Sequence, residues 1–247
     1  MSCLKTAVMR DIWTSKQRNS WAPVASVSHS NLQSLRRSLT SVRFCGLGYV
    51  FEAIDPHTGE SVAIKRTSKS GEYVSREFEV LDRLRGCENV VQLLNIYYSR
   101  NEEQKVVQNL VFEFCHQNLE EVIQNAKEAR RLIPMDDIKN YMRQILLGMK
   151  FVHEKGVCHR DLKPENILMN SQGVVKICDF GSAKVLSGEG LNTPYIVSRY
   201  YRAPELILAC SDYTHAIDVW AIGCILAEFL TRRPIFPGKT EGSQLIE

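Results

Sequence analysis

Cys158-His159-Arg160-Asp161-Leu162-Lys163-Pro164-Glu165-Asn166, with Asp179-Phe180-Gly181 a short way downstream, sets two carboxylates, an ammonium and a carboxamide close together in the chain. Moving a phosphoryl group onto a hydroxyl needs a carboxylate beside the attacking oxygen and a cation on the phosphate. It also needs hard oxygen ligands for magnesium. Asp161, Lys163, Asn166 and Asp179 supply that set. Taken singly, each fragment has a plainer explanation: Asp-Phe-Gly makes an ordinary turn, and a strand lysine is usually only solvated. The weight lies in their order and in the elements that carry them.

Upstream, Tyr49 to Ile54 and Ser61 to Lys65 predict paired strands joined by the turn-forming run Asp55-Pro56-His57-Thr58-Gly59. Val62-Ala63-Ile64-Lys65 puts a lysine on the second strand. Ser75 to Leu84 has helical spacing, with Phe78, Leu81 and Leu84 on one side, and carries Glu77. Val90 to Tyr98 and Val106 to Phe114 predict two further strands. Beyond Phe114 the pattern turns helical. Leu119 to Ala129 is one predicted helix, and Asp136 to Glu154 a longer one with an apolar stripe from Ile138 to Val152. Acidic Asp136 and Asp137 suit its start and Gly156 its end. A strand-rich part followed by a helical part predicts an α+β protein of two lobes. Ala203-Pro204-Glu205 closes the segment that follows Asp179-Phe180-Gly181.

The 247 residues suffice for a substantial core, and 44% hydrophobic content excludes collagen, coiled coil and wholesale disorder. Val219 to Leu230, the longest apolar run, falls short of a membrane span and predicts a buried helix. The eight cysteines include no Cys-x-x-Cys pair, which favours reduced thiols over a zinc site or disulfide framework. The start of the chain lacks the apolar core of a secretory signal.

The net charge of +3 is uneven. Residues 1–43 hold seven basic side chains and one acidic, hence +6, whereas the remainder holds 24 basic against 27 acidic, hence −3. Residues 1–41 predict a disordered, basic, Ser-rich tail. A mitochondrial transit peptide is the sharper alternative. The basic residues are too dispersed to suggest a nucleic-acid arm, and neither nucleic acid nor membrane is an expected partner.

Together these motifs resemble a eukaryotic protein kinase, with residues 42–114 as the N-lobe and 115–247 as the C-lobe. The Lys163-Pro164-Glu165 wording is similar to the serine/threonine class. The resemblance implies ATP and Mg2+ as cofactors and protein substrates as partners. It makes Asp161 the residue that orients the substrate hydroxyl and accepts its proton, and Lys163 the cation on the γ-phosphate. Lys65, held by Glu77, would meet the α- and β-phosphates, and Asn166 and Asp179 would hold magnesium. Around adenine it places Phe112 as gatekeeper, Glu113 and Cys115 as backbone contacts, and Val50, Ala63 and Leu168 as the apolar sandwich. Ordinary core packing accounts equally well for those last three.

Tyr195 to Glu205, Gly181-Ser182-Ala183-Lys184, Ile217-Asp218-Val219-Trp220 and Pro234-Ile235-Phe236-Pro237-Gly238 resemble the glycogen synthase kinase-3 family. That family belongs to the CMGC group, with the cyclin-dependent and mitogen-activated kinases, towards which Phe112-Glu113-Phe114 leans. The resemblance implies that Arg76, Arg160 and Lys184 bind a phosphate already present on the substrate. A dianion favours such a cluster through charge-assisted hydrogen bonds. Internal ion pairing of Arg160 and Lys184 is the plainer alternative. Tyr195 matches an activation-loop phosphosite, with Arg199 and Arg202 placed to receive its charge. The implied location is cytoplasmic, with the nucleus as a second site.

The sequence departs from the pattern at both ends. Gly48 matches the third glycine of G-x-G-x-x-G-x-V, but Arg43 and Cys45 occupy the first two places, which predicts weak ATP binding. No first strand is legible in residues 32–42. The resembled C-lobe extends by several helices past the position of Glu247, and the surface that docks scaffold proteins lies largely there. The expectation is an incomplete C-lobe, from a fragment, an alternative product or an imperfect gene model. A cyclin-dependent-like kinase and a catalytically impaired binding module are the competing readings.

Overall fold

The computed structural model describes residues 42–45, 48–55, 57–68, 75–101, 103–186 and 198–246. The predicted tail, residues 1–41, lies outside them. Five antiparallel strands form the first lobe: β1 (Val42–Cys45), β2 (Gly48–Ile54), β3 (Ser61–Ser68), β4 (Leu93–Arg100) and β5 (Val106–Glu113). They run in the order β1-β2-β3-β5-β4. A first strand is present at Val42–Cys45, almost wholly beyond the residues 32–42 in which none was legible, and 32–41 lie outside the described residues. Four residues long, it pairs Arg43 with Val50 and Cys45 with Gly48, so β1 and β2 make a close hairpin. Its length leaves too few alternations to show a period of two. The predicted strand from Val90 begins instead at Leu93, because Val90 and Val91 turn away to bridge Ile177.

β5 is an inner strand of this sheet, flanked by β3 and β4. Its residues from Val107 to Phe112 are all buried, including the polar Gln108 and Asn109. Hydrogen bonds offset much of the cost of burying those amides, although Gln108 Oε1 finds no partner among the described residues. Asn109 accepts from Arg66 Nε at 2.9 Å and donates to Ser99 Oγ at 3.0 Å. Gln108 Nε2 donates to Ser75 Oγ at 2.6 Å, and Ser75 Oγ also accepts the Phe78 N–H. Ser75 is thereby the N-cap of α1 (Arg76–Arg83), fastened to the sheet by its own capping oxygen.

The second lobe is mainly helical. α2 (Leu119–Glu128) opens with a capping box between Asn118 and Glu121. α3 (Met135–Glu154) carries Asp136 and Asp137 in its first turn, and Gly156, at φ +71°, turns the chain just past its end. Short strands frame the loops between helices: β6 (Gln117–Asn118), β8 (Ile167–Met169) and β9 (Val175–Ile177) form one sheet. β7 (Val157–Cys158) and β10 (Lys184–Val185) form another. After α4 (Pro204–Ile207), α5 (Ala216–Thr231) runs through the lobe, and α6 (Glu241–Ile246) follows.

One apolar cluster joins the lobes, from Leu81, Leu84 and Leu110 through Ile145, Met149 and Ile177 to Ile225 and Phe229. Gly148 of α3 lies where this seam is tightest. A β-carbon there would come within 2.8 Å of Ile177 Cδ1 and 2.9 Å of Asn89 Cβ. The predicted buried helix at Val219 to Leu230 needs correction. α5 buries Ile217, Ala221, Ile222, Ile225 and Phe229, whereas Val219, Trp220, Leu226 and Leu230 are exposed. A helix apolar on all sides shows no outer face in its sequence. Among the described residues, no helix is long and apolar enough to cross a membrane.

Candidate active site

The register of the first sheet aligns the site. Lys65 lies opposite Val50 on one side and Leu110 on the other, and Ala63 opposite Phe112. Val50, Ala63 and Leu168 are partly buried, Phe112 is buried and Cys115 partly so. Burial, reinforced by the Glu113 charge, pushes the Cys115 thiol up to about 12.

Lys65 is 5% exposed, and its ammonium is shared by two carboxylates: Glu77 Oε1 at 2.7 Å and Asp179 Oδ1 at 2.6 Å. Burial alone would lower the lysine's pKa, but the two carboxylates outweigh it and hold the pKa raised, so the cation persists. Three elements meet here. β3 supplies Lys65, the Ser75-capped α1 supplies Glu77, and the loop after β9 supplies Asp179.

Asp179 itself adopts left-handed backbone, φ 60° and ψ 64°. Arg160, at φ 69°, does the same within the preceding loop. Such backbone is costly for residues other than glycine and persists where surroundings enforce it. Asp218, buried on α5, enforces it at Arg160. Its carboxylate accepts the N–H groups of His159 and Arg160, each at 2.9 Å, along with His153 Nε2–H at 2.9 Å and the Cys158 thiol at 3.3 Å. Burial opposes ionisation of Asp218, yet these donors hold its pKa below the ordinary carboxyl value.

The same loop is fixed from its other side. The Asp161 N–H donates to His159 Nδ1 at 3.2 Å, so the Nε2–H of the neutral ring points to the Cys178 carbonyl, 2.9 Å away. His159 also packs against Phe180, ring centroids 4.8 Å apart. The two segments quoted at the outset are therefore locked together.

Asp161 faces a dense polar arrangement. Its Oδ1 accepts from the Ser198 N–H at 3.0 Å and from Ser198 Oγ–H at 2.9 Å. Lys163 Nζ lies 3.3 Å from Asp161 Oδ2 and donates to Ser198 Oγ at 3.0 Å. Asn166 Nδ2 donates to the Asp161 carbonyl at 2.8 Å and to Oδ2 at 3.2 Å. With its nitrogen so engaged, Asn166 has its amide oxygen left as a ligand. The Asn166 carbonyl accepts the Cys178 N–H at 2.9 Å, which brings Asn166 beside the residue preceding Asp179. An amide oxygen and the Asp179 carboxylate are the hard donors Mg2+ prefers, so this pair fits the metal. Bound there, the metal would neutralise phosphate charge.

Arg76, Arg160 and Lys184 fall on adjoining elements. Arg76 is exposed at the first position of α1, which packs on the turn at Phe180–Ser182, and Lys184 pairs with Cys158 in β10. Arg160, 4% exposed, donates from Nε to the Ser182 carbonyl at 2.7 Å and from Nη1 to the Tyr213 hydroxyl at 2.9 Å. Tyr195 lies outside the described residues. Of the arginines expected to receive its charge, Arg199 donates from Nη1 to the Lys239 carbonyl at 2.7 Å, and Arg202 Nη1 meets Glu241 Oε1 at 3.2 Å. Those contacts join residues too distant in sequence to foresee.

Sequence reasoning also missed Ser198 and Asp218. Ser198 carries no signal, being one serine among many. Asp218 does carry one: like Glu228, it is a carboxylate inside an otherwise apolar run and must be paired to be buried.

Asp161, Lys163 and Ser198 are gathered at one place, Lys65 is doubly paired, and a carboxamide and a carboxylate are brought together, an arrangement compatible with phosphoryl transfer. A family model for the protein kinase domain matches residues 45–247. The chain belongs to the protein kinase domain family. Its fold is the two-lobed kinase fold, and the family's chemistry is phosphoryl transfer from ATP to protein.

Proposed function

We propose that the chain is a serine/threonine kinase resembling the glycogen synthase kinase-3 family, acting with Mg-ATP on protein substrates that already carry a phosphate. The observation that carries the serine/threonine reading is Ser198 Oγ, 2.9 Å from Asp161 Oδ1 and 3.0 Å from Lys163 Nζ. A short aliphatic hydroxyl fits between the base and the cation that would serve the transferred phosphate. Asp161 would orient the substrate hydroxyl and take its proton, and Lys163 would offset the charge on the phosphoryl oxygens. Lys65 would hold the α- and β-phosphates, and Asn166 and Asp179 the metal.

Recognition of a primed substrate is supported by exposed Arg76 and partly exposed Lys184 beside the catalytic loop. Arg160 is braced internally, so its share in that site is a fixed background charge. Cys87, Cys115, Cys158, Cys178, Cys210 and Cys224 stand outside any disulfide, in keeping with the reducing cytoplasm and nucleus where we propose the protein acts.

The test compares turnover of Mg-ATP on matched peptides with and without a phosphoserine a few residues C-terminal to the target. A clear preference for the phosphorylated peptide, lost in Arg76→Ala, is expected. Equal rates on both peptides would refute priming and favour a cyclin-dependent-like kinase.

A further inference from the structure

Lys176 lies on β9 with its side chain 9% exposed, a costly place for a cation that takes no part in the phosphate-handling cluster. Its ammonium is 3.1 Å from Glu113 Oε1. Glu113 ends β5, where the chain leaves the first lobe. The same carboxylate oxygen accepts the Gln92 N–H at 2.8 Å, and the Glu113 N–H donates back to the Gln92 carbonyl at 3.2 Å. Gln92 is fixed in turn, its Nε2 donating to the carbonyls of Cys87 at 2.8 Å and Val90 at 2.9 Å. That loop is fastened to β9 by its backbone, through Val91 N–H to the Ile177 carbonyl and Ile177 N–H to the Asn89 carbonyl, each 2.9 Å. Asn89 Nδ2 adds donations to Gln144 Oε1 and the Val175 carbonyl. Three segments therefore converge on one carboxylate: the loop after α1, the end of β5 and a strand of the second lobe.

We propose that Lys176 is a positioning residue for the nucleotide, acting through Glu113 and Gln92 to fix the backbone at the end of β5 against the second lobe. The inference rests on the reading that residues 113–115 present backbone groups to adenine. A hydrogen bond to a ring needs its donor and acceptor placed to within a fraction of an ångström, and main-chain placement at a crossing between lobes is not secured by the β5 ladder alone. Charge at Lys176 and Glu113 serves this better than an apolar pair. An ion pair with a shared backbone donor fixes direction, whereas apolar contact fixes only proximity.

The test measures binding of a fluorescent ADP with Mg2+, and ATP kinetics, for Lys176→Met, Glu113→Gln, the double variant and Lys176→Arg. Each single change should raise Kd and KM for nucleotide about three- to tenfold while leaving kcat within about twofold. The double variant should be no weaker than either single one, because both remove the same link. Lys176→Arg should restore most of the affinity. Amide hydrogen exchange at 91–93 and 112–115 should quicken in Lys176→Met, with exchange in α3 unchanged, which separates a loosened strut from global unfolding. Wild-type protein that binds nucleotide, with variants that bind it equally well, would overturn the strut alone. Wild-type protein that binds no nucleotide would overturn the underlying reading of the site. Additive losses in the double variant would also overturn the proposal, since the two residues would then act separately.

Discussion

Glu228 and Asp218 sit ten residues apart on α5, each almost wholly buried, and their surroundings drive them in opposite directions. Asp218 has four hydrogen-bond donors around its carboxylate, and its lowered pKa makes the ionised form part of the folded state. That contribution is complete above its ordinary pKa and is lost as pH falls through the folded value. The Glu228 carboxylate accepts the Tyr201 hydroxyl at 2.7 Å, and burial, with Glu120 and Glu165 adding like charge, raises it to about 7. In the unfolded chain it ionises near its ordinary value of 4.5, so between there and about 7 the folded state binds the extra proton. Stability from this residue is therefore present at low pH and lost as pH rises through that window. Glu228→Gln should abolish the dependence. Denaturant midpoints at pH 5 and pH 8 should differ less in Glu228→Gln than in wild type, with the variant gaining relative stability at pH 8. An unchanged pH dependence would show that Glu228 is ionised throughout.

At the scale of elements, α1 matters because it carries Glu77 to Lys65, and its placement hangs on Ser75. One oxygen of that residue caps the helix and accepts from Gln108 of β5. Ser75→Ala removes both bonds. The expected loss is about 1 kcal/mol of stability from the cap, with a further effect on catalysis as Glu77 is less firmly presented. Chemical denaturation and kcat measured together check it. A stability loss with unchanged kcat would mean that α1 is positioned by its packing alone.

The elements that sequence reading recovered best were those with long periodic patterns, such as α3 with its stripe from Ile138 to Val152. It failed where partners distant in the chain decide. β1 is four residues and gains its strand character by pairing with β2. Val90 and Val91 look like the start of β4 but are drawn to Ile177 on the other lobe. The candidate site residues stood out in the sequence because phosphoryl transfer restricts which types can stand at which spacing. Of their supports, Ser198 and Lys176 did not stand out, since each acts through a contact that only folding creates, whereas Asp218 showed only as a carboxylate in an apolar run.

On the scale of the whole molecule, the proposed catalysis would depend on two lobes holding their shares of one site. Lys65 and Glu77 come from the first, while Asp161, Lys163, Asn166 and Asp179 come from the second. The Lys65–Asp179 contact of 2.6 Å spans the division, and the apolar seam through Leu110, Ile145 and Ile177 keeps it closed. Arg43 and Cys45, standing where the resembled loop has two glycines, would hinder close backbone approach to phosphate. The account therefore predicts a weak KM for ATP alongside preserved chemistry. The most direct measurement is phosphate transfer from radiolabelled ATP with Mg2+ to a serine peptide, comparing wild type with Asp161→Asn under saturating nucleotide. The account predicts turnover in wild type that falls about 10²- to 10⁴-fold in Asp161→Asn, the range associated with loss of a positioned base. Equal rates in the two proteins, at background, would contradict it and leave a binding module with a kinase fold.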